Sequence, residues 1–164
     1  MPQNDAPMNP DNRIYCADSN TIADREETDV AYLDPPYNSR QYCDTYHLLE
    51  NVAQWRQPEV FGVARKMDRS TMKSRYCKSA EAAEALEELV MKLRCRYILL
   101  SYNNNGKKLQ CRSNAKISDE EIIRIMSLRG EVRVFNMSHR GFDAGKSELN
   151  KDNQERLFLC SVNR

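Results

Sequence analysis

Residues 30–37, VAYLDPPY, place a carboxylate, two prolines and an aromatic ring directly after a short apolar run. Because Asp34 and Pro35 each precede a proline, their backbone is restricted to the extended or polyproline II region. Proline lacks an N–H group, so the turn presents acceptors only, namely the Asp34 carboxylate and the Pro35 carbonyl. With the flat ring of Tyr37 beside them, these acceptors suit the exocyclic amino group of a planar base.

Two acceptors and a ring could activate the amino group of adenine. Its nitrogen is a poor nucleophile because the lone pair is delocalised into the ring. Acceptors for both hydrogens favour a more tetrahedral nitrogen and free that lone pair, an effect of positioning and electrostatics. Stacking on Tyr37 would add about 1–3 kcal/mol. A base in a duplex cannot reach such a pocket unless it is flipped out. The alternative is a turn that merely ends a strand.

The elements that position this turn alternate between strands and helices, which predicts an α/β fold with a mostly parallel sheet. Residues 30–33 fit a buried parallel strand, so Asp34 lies at the carboxyl edge, where ligands bind in open α/β sheets. The last strand follows a polar loop and is expected to run antiparallel in a hairpin. The predicted strands cover residues 13–17, 30–33, 97–102, 132–135 and 157–162.

Helices are predicted over residues 21–27, 45–55 and 80–93, with a fourth after Ser118. Residues 18–20 provide capping side chains for the first helix, and Ser79 caps the third. Ser118 and Glu121 form a capping box, and Gly130 is suited to end the fourth helix. Trp55 is expected to anchor its helix in the core. The apolar stripes of the last three helices are Leu48, Leu49, Val52 and Trp55; Leu86, Leu89, Val90 and Leu93; and Ile122, Ile125, Met126 and Leu128.

The composition excludes binding of nucleic acid by bulk charge. The 164 residues include 25 Lys and Arg against 24 Asp and Glu, so any basic surface must be local. No apolar window of about 18 residues predicts a membrane span, and the polar lead-in over residues 1–12 is neither a signal nor a transit sequence. The six cysteines lack CxxC spacing, so we expect reduced thiols, no metal and a cytoplasmic protein. The five glycines form no GxGxxG or P-loop pattern.

A basic segment at residues 56–79 contains seven Lys and Arg against two acidic residues. Contact with phosphates would make binding to nucleic acid salt-dependent. The alternative is a solvated loop. The predicted contacts are Arg65, Lys66, Arg69, Lys73 and Arg75.

Four segments and the closing LFLCSV carry a recognisable pattern. They are RIYCADSN at 13–20, DVAYLDPPYNSRQYCDTYHLLENVA at 29–53, RYILLSYNNNG at 96–106, and the capped helix with GEVRVF at 118–135. In these segments the chain resembles the D12 class of DNA adenine-N6 methyltransferases, the group that includes the Dam enzymes. The resemblance covers nearly the whole chain and includes the family's catalytic motif, DPPY.

The resemblance implies a Rossmann-like sheet, with residues 13–164 forming part of a class I methyltransferase domain. It implies methyl transfer from S-adenosylmethionine to N6 of adenine in duplex DNA, of the restriction–modification type, without a metal. Asp34 and Pro35 would accept the N6 hydrogens, Pro36 would brace the turn and Tyr37 would stack on the base.

Other implied positions have ordinary alternatives. Cys16 and Asp18, with Asp34, would border the cofactor, although Asp18 is equally suited to cap a helix. The turn after the motif would contact the target nucleotide or the gap it leaves, unless it is a plain polar loop. Its residues are Asn38, Ser39, Arg40, Gln41 and Tyr42.

The chain departs from the family in lacking the Phe-x-Gly-x-Gly cofactor turn and a recognisable target-recognition insert. We therefore expect an incomplete sheet, in which strand 30–33 is an exposed apolar edge and strand 13–17 has no neighbour. The interpretation is a catalytic-half fragment that binds S-adenosylmethionine weakly alone and acts on duplex DNA with a separate chain supplying the N-terminal half. Two alternatives remain, an inactive remnant or DNA-contacting module and an RNA amino-group methyltransferase.

Overall fold

The computed structural model describes residues 12–36, 41–103, 117–138 and 154–163. Its strands are β1 (Glu27–Leu33), β2 (Val60–Phe61), β3 (Lys66–Met67), β4 (Arg94–Asn103), β5 (Gly130–Ser138) and β6 (Gln154–Val162). Its helices are α1 (Ser19–Ile22), α2 (Tyr42–Ala53), α3 (Ala82–Lys92) and α4 (Asp119–Ser127), with short 3₁₀ turns at Ser70–Met72 and Arg75–Cys77.

Four strands form a central sheet in the order β1-β4-β6-β5, and β2 pairs with β3 in a separate antiparallel hairpin. β1 runs parallel to β4, with Leu33 opposite Leu100. β4 and β5 both run antiparallel to β6. The predicted α/β class and C-terminal hairpin are confirmed, whereas the sheet is mixed, with one parallel and two antiparallel pairings. β1, β4 and β5 share one direction, and β6 lies between β4 and β5 and runs opposite to both.

The core lies between α3, α4 and one face of this sheet. Ile98 and Leu100 of β4 and Phe158 of β6 are fully buried, and their spacing of two along β4 places them on one face. Burial of each large apolar side chain stabilises the fold by about 1.5–3 kcal/mol relative to exposure. The helical side chains that pack there are Leu86, Leu89, Val90, Ile122, Ile125 and Met126, as the apolar stripes predict.

The opposite face of the sheet is open among the described residues. Val30 and Tyr32 of β1 lie opposite Tyr97 and Leu99 and are 52% and 59% exposed. β1 is also the outermost strand on its side of the described sheet. Apolar side chains therefore stand exposed along an edge strand, as expected for residues 30–33.

Residues 13–17 do not form the predicted strand. No strand lies beside them in the described ranges, so their backbone groups have no ladder partner. Side chains hold the segment instead, because Arg13 Nη1 and the Tyr15 hydroxyl both donate to Glu26 Oε1, at 2.7 and 2.5 Å.

The first helix is shorter and earlier than predicted. α1 is a single turn that Asp18 caps, its Oδ1 accepting from the backbone N–H of Asn20 at 2.8 Å. The cap is confirmed, but a helix over 21–27 is excluded because β1 already begins at Glu27.

The apolar stripe of α2 faces solvent. Leu48, Leu49 and Val52 are mostly exposed, and Trp55, just after the helix, is 92% exposed. The prediction that this stripe joins the core with Trp55 as its anchor is therefore wrong. A helical period reports an apolar face but not the surface that covers it, and α3 and α4 already fill the core.

The ends of α3 and α4 show where local signals hold and where they fail. Ser118 Oγ accepts from the backbone N–H of Glu121 at 3.2 Å, so the predicted start of α4 is confirmed. Ser79 does not cap α3, because the N–H of Ala82 donates instead to the Lys78 carbonyl at 2.9 Å.

Gly130 is the first residue of β5. The prediction that Gly130 ends α4 is wrong, because α4 already ends at Ser127. A Cβ at this position would lie 1.9 Å from the carbonyl oxygen of Ser161, so the close approach of β5 and β6 requires glycine. Leu128, which was expected to face inward, is half exposed because the chain turns away from the core before this strand.

The sequence also raised the state of the cysteines and the question of a membrane span. Among the cysteines of the described ranges, Cys43, Cys77 and Cys160 are buried and none forms a disulfide bond. In the same part of the chain, no helix is both long and apolar enough to cross a membrane.

Candidate active site

A cleft of about 490 Å³ opens at the carboxyl end of β1. It is lined by residues 34–36, by residues 18–20 at the start of α1, and by residues 71–76 between β3 and α3. Its volume lies within the range of about 300–1,000 Å³ that is usual for small-ligand sites. The fold therefore brings three segments that are distant in sequence to the edge where β1 and β4 end.

Asp34 follows the last residue of β1 directly, so the parallel pairing of β1 with β4 fixes its place at this edge. Its side chain is exposed, whereas Pro35 and Pro36 are half-buried. In the described part of the chain, the Asp34 carboxylate forms no hydrogen bond or ion pair, so both of its oxygens are available as acceptors. Tyr37, Asn38, Ser39 and Arg40 lie outside the described residues.

A buried polar network supports the wall of the cleft opposite this turn. The Tyr76 hydroxyl donates to Asn20 Oδ1 at 2.8 Å, and Asn20 Nδ2 donates to the Ala85 carbonyl at 2.8 Å. Lys92 Nζ donates to the backbone carbonyl of Asn20 at 2.9 Å. Burial raises the pKa of the Tyr76 hydroxyl to about 12. These bonds join α1 and the segment before α3 to α3 itself, so the wall is rigid.

Glu88 of α3 forms ion pairs with two cations at the edge of this network. It accepts from Lys92 Nζ at 2.8 Å, from Arg75 Nη1 at 2.7 Å and from Asn20 Nδ2 at 3.3 Å. These hydrogen bonds from Lys92, Arg75 and Asn20 lower the pKa of Glu88 to about 2. The Arg75 guanidinium is thereby tied to α3 on one side of the cleft.

Gln41, the first described residue after the motif, is buried. Its Oε1 accepts from the backbone N–H of Ser74 at 2.8 Å, and its Nε2 donates to the Ser74 carbonyl at 3.2 Å. Tyr42, which begins α2, is exposed, with its ring 6.0 Å from that of Tyr46. Of the two described residues in the predicted base-contacting turn, one is thus occupied by the chain and one is open.

The basic segment divides into paired and unpaired cations. Arg69 Nε contacts Asp44 Oδ1 at 2.8 Å, and Arg75 contacts Glu88. Within the described ranges, Arg65, Lys66 and Lys73 form no ion pair. Lys73 lines the cleft, whereas Arg65 and Lys66 lie at and beside the β2–β3 hairpin. The unpaired cations are therefore the ones available for an anionic ligand.

Comparison with known proteins assigns the chain to a family. The family model for the D12 class N6 adenine-specific DNA methyltransferase matches residues 3–111, which include both the cleft turn and the basic segment. The chain belongs to this family. In this D12-class chain, the Asp34 turn borders the cleft at the carboxyl end of β1.

Among its curated relatives, this D12-class chain is 33% identical over 150 residues to the modification methylase StsI of Streptococcus sanguinis, and 32% identical over 150 residues to the type II methyltransferase M.FokI of Planomicrobium okeanokoites. Each match covers 90% of this chain but 22% of the relative. The type II methyltransferase M.NlaIII of Neisseria lactamica is 32% identical over 136 residues, 83% of this chain and 37% of that protein. No solved structure matches the chain.

The predicted cofactor residues of the D12-class chain occupy different places. Asp18 lines the cleft while one of its carboxylate oxygens caps α1, so the capping and cofactor interpretations are compatible. Cys16 is exposed and does not line the cleft. Sequence reasoning missed Asn20 and Tyr76 as supports, because the two residues lie 56 positions apart and leave no local pattern. It also missed Glu88, although the pairing of Glu88 with Lys92 four residues later is a local signal that could have identified it.

Membership of the family implies a methyl donor. The cleft has the volume for a nucleoside-sized ligand, and the carboxylates of Asp18 and Asp34 both line it. Two carboxylates in the lining are compatible with a methyl donor that carries a positive charge. No glycine lines the cleft, so these residues do not form a close backbone cradle. In the described ranges, no group of three or more His, Cys, Asp or Glu side chains could hold a metal ion.

Proposed function

We propose that this chain provides the catalytic part of an enzyme that methylates N6 of a flipped-out adenine in duplex DNA, with S-adenosylmethionine as the donor. The observation that carries the proposal is the Asp34 turn. An exposed carboxylate without a partner in the described chain follows β1 directly and borders a cleft large enough for a nucleoside. The match to the D12 family over residues 3–111 supports adenine N6 as the acceptor.

The reaction uses acceptors that the turn holds in place. When bound, S-adenosylmethionine supplies an electrophilic methyl group. The Asp34 carboxylate and the Pro35 carbonyl accept the two N6 hydrogens, Pro36 braces them, and Tyr37 stacks on the base. As N6 gains the methyl group it must lose a proton, which the solvent-exposed Asp34 carboxylate can pass to water. Preorganised acceptors of this kind need no reorganisation at the moment of transfer.

The cofactor site is completed by polypeptide outside this chain, either the remainder of one protein or a separate subunit. Three observations support this part of the proposal. The sequence contains no Phe-x-Gly-x-Gly turn, the matched segment is 22% of the StsI and M.FokI methylases, and β1 exposes Val30 and Tyr32 at a sheet edge. Titration calorimetry of the chain alone should accordingly show weak or no binding of S-adenosylmethionine.

The relatives named as modification methylases and type II methyltransferases indicate the biological setting. We infer that the whole protein protects DNA in a restriction–modification system.

The test is to replace the matched segment of the StsI methylase by this chain and to measure transfer of tritiated methyl groups to duplex DNA. Asp34→Ala should lower transfer by about 100-fold or more, because one preorganised polar partner of the reacting group is lost. Asp24→Ala, an exposed aspartate between α1 and β1, is the matched control and should leave the rate unchanged. Equal rates for the two variants, or transfer to RNA but not DNA, would contradict the proposal.

A further inference from the structure

A second groove, of about 550 Å³, lies between the C-terminal half of α2 and the β2–β3 hairpin. Its lining includes Trp55, Arg56 and Arg65, with His47 and Asn51 on the helix side. None of the residues that line it is acidic. The groove is therefore lined by apolar and positively charged side chains without a carboxylate, a combination that the cleft beside Asp34 does not have.

Trp55 and Arg65 border this groove from opposite sides, and both have a positive φ angle. Their φ angles are 51° and 43°, and they are the non-glycine residues with positive φ in the described ranges. At Trp55 this conformation ends α2, because the N–H groups of Trp55 and Arg56 donate to the carbonyls of Val52 and Asn51 at 3.1 and 2.8 Å. At Arg65 it lies in the turn of the β2–β3 hairpin. The two conformations turn an almost fully exposed indole ring and a guanidinium outward at the mouth of one groove.

The charges at this rim are not neutralised by the protein. Arg56 and Arg65, which line the groove, and Lys66, which lies next to Arg65 in sequence, form no ion pair with any described residue. Arg69, by contrast, is paired with Asp44, and Arg75 with Glu88. Three unpaired cations beside an acid-free groove are complementary to a polyanion. A flat ring with an open face is also the side chain on which a base or sugar packs.

We propose that this groove holds the DNA strand that flanks the target adenine. Trp55 packs against a base or sugar of that strand, and Arg56, Arg65 and Lys66 contact its phosphates. The assignment rests on the proposed function, because it takes duplex DNA as the substrate.

The distance between the groove and the Asp34 cleft is consistent with a single duplex. Met67 lines the groove and Thr71 lines the cleft, so the two sites are joined by a short segment. Four residues span at most about 14 Å, which is less than half of a helical turn of DNA at about 34 Å. The nearest edges of the two sites therefore lie within the span of one duplex.

Trp55 is the single tryptophan of the chain, so its fluorescence reports on this groove alone. Titration of the full chain with a 20-base-pair duplex at low salt should quench this fluorescence. Trp55→Ala should raise the dissociation constant, measured by anisotropy of labelled DNA, about 10-fold, and Trp55→Phe should restore most of the affinity. Arg56→Gln, Arg65→Gln and Lys66→Gln should each lower the slope of log affinity against log salt by about 0.9.

Two matched controls lie on β5, the far edge strand of the sheet. Phe135→Ala removes a half-exposed ring, and Arg133→Gln removes an exposed guanidinium that is paired with Glu131. Neither substitution should change DNA affinity. Unchanged affinity and salt slope in the Trp55 and Arg65 variants would overturn the inference, as would self-association of the chain that Trp55→Ala abolishes without an effect on DNA. If the StsI replacement still loses methylation on Asp34→Ala, the proposed function survives either result.

Discussion

The side-chain amide of Gln41 and the backbone of Ser74 form a closed pair of hydrogen bonds, at 2.8 and 3.2 Å. Gln41 is the first described residue after the Asp34–Pro36 segment, and Ser74 lines the cleft that this segment borders. The pair therefore joins the start of α2 to the segment that carries the cleft's cations.

Gln41→Ala should lower the free energy of unfolding by about 1–3 kcal/mol, because it leaves the half-buried N–H of Ser74 without its partner. Urea denaturation measures this change, with Gln54→Ala as the control, since the Gln54 side chain is exposed. If Gln41 instead binds DNA as the sequence suggests, stability should be unchanged while DNA affinity falls.

Tyr76→Phe should destabilise the fold by a similar amount, about 1–3 kcal/mol, because the buried Oδ1 of Asn20 loses its donor. Spectrophotometric titration should also lose the tyrosine that ionises near pH 12. Tyr46→Phe, at a half-exposed position, should change neither quantity. A Tyr76→Phe variant as stable as the parent would show that the network does not support the cleft wall.

The paired and unpaired cations of the basic segment should respond differently to substitution. Lys73→Gln should reduce the salt slope of DNA binding by about 0.9, because Lys73 is unpaired and lines the cleft. Arg69→Gln should leave that slope unchanged but cost up to about 1 kcal/mol of stability through the lost contact with Asp44. Equal effects of both variants on the slope would mean that the Arg69–Asp44 pair opens on DNA.

Glu88 should make the stability of the fold depend on pH in the acid range. Its pKa of about 2 in the folded protein lies below its ordinary value of 4.5, owing to the hydrogen bonds from Lys92, Arg75 and Asn20. The folded state therefore gains stability above about pH 4.5 and loses it as the pH falls towards 2.

Glu88→Gln tests this dependence. The variant should be less stable than the parent at pH 7, and the difference should shrink in urea denaturation at pH 3. Glu59→Gln, at an exposed position without an ion pair in the described chain, should follow the parent at every pH. A difference between Glu88→Gln and the parent that stays constant from pH 7 to pH 3 would exclude this role for Glu88.

Local signals in the sequence predict the parts of the fold that depend on neighbouring residues. The Ser118 capping box, the buried stripes of α3 and α4, and the place of Asp34 after β1 each follow from residues a few positions apart. The exposure of Trp55 could not be predicted, because the apolar period of α2 does not reveal that α3 and α4 fill the core. The strand expected at 13–17 failed for the complementary reason, since a strand needs a neighbour to pair with.

The candidate site divides in the same way. The proposed acceptor segment at residues 34–36 is contiguous and can be predicted from residue types alone, whereas the residues that support the cleft are distant in sequence. Tyr76 meets Asn20 across 56 residues and Gln41 meets Ser74 across 33. The division of the cations into paired and unpaired groups likewise depends on Asp44 and Glu88, which come from other elements.

The close contact at Gly130 lies at one end of β6, beside Val162. A side chain there would have to push β6 away from β5, because a Cβ would lie 1.9 Å from the Ser161 carbonyl oxygen. The opposite end of β6 carries Glu155, whose Oε1 accepts from Asn103 Nδ2 at 2.7 Å where β4 ends beside β1. A Gly130→Ala exchange is therefore expected to displace the strand whose other end lies on the side of the proposed acceptors.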